Sequence, residues 1–243
     1  MAQQILFERK GPFAHITFNR PKSGNPINDS MLTRLTSLMQ DLGKEDDLRA
    51  VVLRGNGGDF CTGRERGKGK PPGSAPDSAY VLHGKVMARI LAVYKAFRDC
   101  PAPIISVIQG RALGFGCALV GGSDVAIAGQ QARFSLPEMT HGTAPTLAMS
   151  ALTKVSPKAL ADMIYSMDEI DADTALAIGL VGRVVAADEL DNTVDALLAR
   201  MMDYDIPQIR TVKRFIARGL NLDPETTSDL AGYTLATLNT RPR

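Results

Sequence analysis

No stretch of the chain holds the roughly 18 uninterrupted apolar residues that a membrane-spanning helix requires, so no such helix is predicted. Cysteine is scarce: Cys61, Cys100 and Cys117 stand far apart, form no CxxC pair and have no histidine at metal-ligand spacing. That pattern argues against a disulfide framework or a zinc site, and reads as free thiols in a reducing compartment. Charge of one sign is lacking too. The formal net charge is only +2, and no basic cluster is interleaved with aromatics, which argues against a nucleic-acid partner. The first ten residues have neither the apolar core of a signal peptide nor the Arg/Ser-rich, acid-free pattern of a transit peptide. The expected compartment is therefore the cytoplasm.

What is present is an ordinary globular composition, 44% hydrophobic and 22% charged over 243 residues, ample for a buried core. Residues 5–9 and 13–18 are strand-like runs around Gly11-Pro12, a hairpin pattern. Asn28 or Asp29 can cap a helix whose apolar positions Met31, Leu32, Leu35, Leu38, Met39 and Leu42 repeat at helical spacing. A buried-type strand follows at 50–54. Residues 64–78, rich in Gly, Lys, Arg and Pro, read as a surface loop, and 78–99 as one long helix stopped by Pro101 and Pro103. Strands are expected at 104–108, 125–128 and 183–185, and helices at 188–202, 207–218 and 223–238. The alternation reads as α/β, with a core over 1–187 and a helical C-terminal subdomain over 188–243.

Three segments have the composition of a site. Residues 51–65 run from a strand into a turn with four glycines, Gly55, Gly57, Gly58 and Gly63. Such a turn brings backbone N–H groups close to a ligand, although Gly-Lys-Ser/Thr, which would mark a phosphate loop, is missing. Residues 110–122 repeat the theme with Gly110, Gly114 and Gly116 ahead of a small-residue helix. Free N–H groups at that helix start suit a developing negative charge, and the spacing fails the dinucleotide fingerprint. In 132–145 a carboxylate, Glu138, follows Pro137 within an apolar segment. Partial burial would raise its pKa and suit it to carrying protons near neutrality. Taken singly, each has a plain structural reading: a tight turn, close helix packing, a solvated glutamate.

Together they resemble the crotonase superfamily, the enoyl-CoA hydratase/isomerase family, over most of the chain. Asn19-Arg-Pro21 with Asn25 is similar to its N-R-P…N signature, and Phe60, Gly63 and Glu65 to F-x-x-G-x-D/E. Gly110, Ala112, Gly114, Gly116 and Asp124 fit its second glycine turn and the strand after it, Phe134 with Pro137-Glu138 fits F-x-x-P-E, and Ala175, Gly179, Leu180, Val181 and Val184 fit a late A-x-x-x-G-L-V-x-x-V stretch. The resemblance implies a spiral of ββα units with a helical C-terminal trimerisation region, assembled as a homotrimer or hexamer. It implies an acyl-CoA substrate, with coenzyme A arriving as part of that substrate and no permanently bound cofactor or metal. It places an oxyanion hole at the backbone N–H groups of Arg64 and Phe115, and a proton carrier at Glu138. His141 is a possible auxiliary group, Arg64, Arg66 and Lys68 are candidates to meet coenzyme A, and Lys213 is a candidate to reach the coenzyme A site of a neighbouring chain. One position departs from the hydratase pattern: the glutamate on the helix after the second turn is Ala118. A lone carboxyl leans towards double-bond migration, which needs a single base, or towards a weak or specialised hydratase; the expected enzyme is an enoyl-CoA hydratase or isomerase. The alternatives are an inactive or weak acyl-CoA-binding relative, or a carbon–carbon hydrolase of the same fold that does not use coenzyme A.

Overall fold

A computed structural model of the protein describes residues 3–65 and 74–240. Nine strands and ten α-helices are found among them. The strands are β1 (Ile5–Lys10), β2 (Phe13–Phe18), β3 (Ala50–Gly55), β4 (Ile104–Ile108), β5 (Arg111–Leu113), β6 (Val125–Gly129), β7 (Arg133–Ser135), β8 (Ile170–Asp171) and β9 (Arg183–Val185). The helices are α1 (Asp29–Leu42), α2 (Ala79–Leu82), α3 (Ala88–Asp99), α4 (Phe115–Gly121), α5 (Thr146–Met149), α6 (Pro157–Ser166), α7 (Ala172–Ala177), α8 (Leu190–Met202), α9 (Ile206–Arg218) and α10 (Pro224–Asn239).

Six strands form the main sheet in the order β1-β2-β3-β4-β6-β9, antiparallel only at the β1–β2 hairpin. Both faces of its middle are covered, which is why these strands read as continuous apolar runs rather than alternating ones. Alternation survives in the side to which each residue points. Val51 and Leu53 of β3, Ile104 and Ile108 of β4, and Ala126 and Ala128 of β6 join the larger core with α1 and α3. Their neighbours Ala50, Val52, Ile105, Val107 and Ile127 join a second core closed by Leu190, Val194, Leu198 and Met201 of α8 and Ile209 of α9.

A smaller sheet, β5-β7-β8, lies beside the first. Isolated bridges extend it, Cys61 to Ala112 and Ile27 to Arg64. The chain therefore repeats one move: a main-sheet strand, a short extended piece in the second layer, then a helix. β2, Ile27 and α1 make one turn of this spiral; β3, Cys61 and α3 the next; β4, β5 and α4 the third.

The expected long helix over 78–99 is interrupted. Ser78 caps α2, but His83–Met87 is a π-helical turn before α3 resumes. Gly84, whose backbone is the costliest to order, lies in that turn. Asn28 is the α1 cap, its side chain accepting from Met31 N–H.

Candidate active site

The two glycine turns are locked side by side. Cys61 N–H donates to Arg111 O, and Leu113 N–H donates to Cys61 O. A Cβ on Gly116 would lie 2.1 Å from Cys61 O, and one on Gly110 would lie 1.9 Å from Gly58 O, so no side chain fits at either crossing. Asp59 and Arg111 clamp the turns from outside through Nε–Oδ1 and Nη2–Oδ2 contacts of 3.0 and 2.8 Å. The Arg111 hydrogen bond holds the Asp59 carboxyl below its usual range.

Each turn places a glycine in the left-handed region just before a candidate donor: Gly63 (φ +108°) before Arg64, and Gly114 (φ +51°) before Phe115. Among the described residues neither the Arg64 nor the Phe115 backbone N–H has an acceptor. Phe115 opens α4, so its N–H has no intrahelical partner. The Arg64 side chain is used elsewhere, donating to Ile27 O and to Asp29 at 2.9 and 2.6 Å.

Glu138 lies in a short 3-10 turn, Pro137–His141, that follows β7. Fully buried Phe134 and Leu136 anchor the approach, and Gly114 N–H donates to Ser135 O. The carboxylate lies directly over the second glycine turn: a Cβ on Gly114 would sit 2.9 Å from Glu138 Oε1. Oε2 is sealed from solvent and has no hydrogen-bond partner among the described residues. Burial pushes the carboxyl above its usual range, as expected where charge is poorly solvated.

Arg64, Phe115, Glu138 and His141 line one cavity of about 290 Å³. Its apolar wall includes Ile90, Leu147 and Ala148. His141 is exposed at one side, its Nδ1 3.1 Å from Thr140 Oγ1. Lys213 lies apart from this cavity, buried on α9. Its ammonium meets Phe97 O, Ala102 O and Asp124 Oδ2 at 3.1, 3.0 and 2.9 Å, which uses all three of its donors on its own chain. Arg66 and Lys68 fall outside the described residues. No group of His, Cys, Asp and Glu among the described residues is placed to hold a metal. Cys61, Cys100 and Cys117 are buried free thiols, and burial pushes those of Cys61 and Cys117 up to about 12.

Tyr94, which no site reasoning from sequence picked out, and Asn25, named there only as part of a family signature, also shape this site. Tyr94 lines it and stacks on Phe115, with ring centroids 5.9 Å apart; in the sequence it is one more large residue on the apolar stripe of a helix. Asn25 supports it from behind. Fully buried and at φ +56°, it accepts from Arg20 N–H and donates to Asn56 O and Asp59 O, pinning the first glycine turn. Arg20 in turn pairs with Glu65 at 2.6 Å.

A carboxyl of raised pKa beside two free N–H donors is the equipment for moving a proton next to a carbonyl. The family model for enoyl-CoA hydratase/isomerase matches residues 8–235. The chain belongs to the enoyl-CoA hydratase/isomerase family. It is 29% identical to the short-chain-enoyl-CoA hydratase of Clostridium acetobutylicum over 91% of this chain and 84% of that one. It is 30% identical to the (E)-benzylidenesuccinyl-CoA hydratase of Thauera aromatica over 74% of this chain and 69% of that one. An enoyl-CoA hydratase crystal structure from Mycobacterium smegmatis superposes with a TM-score of 0.90 at 29% identity, covering 99% of this chain and 93% of that one. The fold is thus that of the crotonase superfamily, and the C-terminal region is helical as expected. No helix among the described residues is long and apolar enough to cross a membrane.

Proposed function

We propose that the chain moves the double bond of an enoyl-CoA thioester, with Glu138 as its single proton carrier and the Arg64 and Phe115 backbone N–H groups as the oxyanion hole. The observation that carries this reading is the Glu138 carboxylate lying over Gly114, immediately before the Phe115 N–H. A thioester oxygen held by the two N–H groups would bring C2 beneath Oε1. Glu138 takes the C2 proton, the electron pair spreads onto the oxygen as an enolate, and the carboxyl, after exchanging its proton with solvent, delivers one at C4 of a 3-enoyl chain. Each fixed N–H aimed at the developing charge is worth roughly 3–4 kcal/mol of barrier. Burial keeps the Glu138 carboxyl high enough in pKa to give the proton back. Coenzyme A enters and leaves as part of the substrate. Ala118, fully buried on α4, offers no second acid.

The apolar faces left on α9 and α10 support a homotrimer, or a pair of trimers, as the assembled form. Arg66 and Lys68 remain candidates to meet the coenzyme A phosphates.

The test is Glu138→Gln, with a 3-enoyl-CoA substrate in heavy water followed by mass spectrometry. Turnover and deuterium entry into the acyl chain should fall by about 10³-fold, with coenzyme A binding retained. Unchanged turnover would remove Glu138 from the chemistry. Coenzyme A binding without turnover of any thioester by the wild type would instead identify a non-catalytic relative.

A further inference from the structure

The cavity holds a polar group that the proton transfer above does not use. Tyr94 is 4% exposed, yet its hydroxyl is not among the polar atoms buried without a partner. Tyr94 lines the cavity with Ile90 and Leu147 and with the polar Thr62, Glu138 and Thr143. A tyrosine hydroxyl with an apolar body ordinarily finds a partner, and a bound ligand can supply one here. The hydroxyl's position is fixed by the ring, which stacks nearly parallel on Phe115 at an interplanar angle of 20°. Phe115 supplies the N–H donor, and Glu138 lies over Gly114, the adjacent residue. Tyr94 and Glu138 therefore meet two adjacent residues, Phe115 and Gly114, and line one cavity. Burial first, and then the Glu138 charge, push the Tyr94 phenol above its usual range. It stays a protonated donor at any pH at which the carboxylate works.

A donor and a carboxylate facing one cavity, with no hydrogen bond between them, match a group that accepts from one and donates to the other. Water is such a group, and the cavity of about 290 Å³ has room for one beside an acyl chain. We propose that Tyr94 is a second catalytic residue: its hydroxyl holds a water molecule against C3 of a 2-enoyl thioester, so that the chain hydrates as well as isomerises. The water accepts from Tyr94 through one lone pair, points one hydrogen at Glu138 Oε1 and presents its other lone pair to C3. As the C3–O bond forms, the C2=C3 electron pair moves onto the thioester as the enolate and the water proton passes to Glu138. Glu138 then delivers a proton to C2, which restores the carboxylate. One water is added and no redox partner is needed. In the reverse direction the Tyr94 O–H donates to the departing hydroxyl. The hydroxyl thus occupies the role left open by Ala118.

This inference rests on Glu138 and the oxyanion hole acting as proposed above, and the experiment separates the two. Wild type, Tyr94→Phe and Glu138→Gln are each given a 2-enoyl-CoA and a 3-enoyl-CoA in heavy water, with hydration read as added water mass and isomerisation as deuterium entering the acyl chain. The expected result is hydration by the wild type that falls by about 100-fold in Tyr94→Phe while isomerisation holds within a few-fold. Glu138→Gln should lose both. Retained isomerisation also shows that Tyr94→Phe is folded. Isomerisation without hydration in the wild type, or hydration unchanged in Tyr94→Phe, overturns the role of Tyr94 alone. Glu138→Gln retaining both activities overturns the Glu138 reading and the water site with it.

Discussion

The proposed proton transfer turns on one residue, Glu138, and its ionisation has consequences beyond catalysis. Glu138 has one oxygen sealed without a partner, so the folded state favours the neutral acid and the carboxyl rises above its ordinary 4.5. The sign of the linkage follows. At acid pH the group is protonated folded and unfolded, and burial costs nothing in ionisation. As pH rises the unfolded chain ionises first, so stability is lost until pH passes the raised folded value. Glu138→Gln, neutral at every pH, should therefore melt close to the wild type near pH 4 and above it at pH 8. Thermal melts of both proteins across that range give the answer; a difference independent of pH would show that the fold does not raise the pKa of the carboxyl. In kinetics the acid limb of kcat/KM for isomerisation should lie above the usual carboxylate range, because the base form is the one that acts.

At the scale of elements, what could be read from sequence was whatever repeats long enough to carry a period. The hairpin, β3, β4, β6, α1 and α8 to α10 emerge within a residue or two of their observed limits. β5, β7 and β8 do not, since strands of two or three residues contain no alternation to detect, yet β5 and β7 are what set Gly114 and Glu138 against each other. The glycine turns were visible as composition. Their reason was not: Gly116 and Gly110 are required by backbone atoms about fifty residues away in the chain, and Asn25 works through bonds to a turn 31 to 34 residues on. Arg64 and Phe115, marked by resemblance, do line one cavity with Glu138 and His141. Lys213 does not join them. Its expected place is at a neighbouring chain's site, and within its own chain its ammonium holds α9 to Asp124 at the entry of β6 and to the carbonyls of Phe97 and Ala102. Asp124 Oδ2 also accepts from Ile104 N–H at 2.8 Å, so this one carboxylate joins β4 and α9. Asp124 is exposed, so what the buried Lys213 ammonium chiefly satisfies is the two carbonyls, and removing it leaves them without that donor. Lys213→Met should cost about 2 kcal/mol in denaturant melts while the KM for an enoyl-CoA stays near wild type. A raised KM with unchanged stability would return Lys213 to the substrate.

The whole molecule is unfinished at one edge. α10 runs for 16 residues without a buried one, and Leu230, Tyr233 and Leu235 on it are 38%, 75% and 58% exposed. Between α9 and α10 runs an apolar groove of about 790 Å³ lined by Val212, Phe215, Ile216, Leu235 and Leu238. A helix of this length is marginal in water on propensity alone, and most helical stability in proteins comes from packing of an apolar face. An exposed apolar surface of this kind marks an interaction site, and the proposed trimer supplies the cover from further copies of the same chain. Sedimentation should accordingly give the mass of three chains or of six. Ile216→Asp with Leu235→Asp should shift it to a single chain and lower the helical circular dichroism signal, because α10 would lose its cover together with its partners. Glu138 and the glycine turns belong to another part of the chain, so the separated chains should keep the melting transition of the main core. A single-chain mass for the wild type at all concentrations, with α10 protected from hydrogen exchange, would show that the helix is held by its own sequence and that the groove is not an interface between copies.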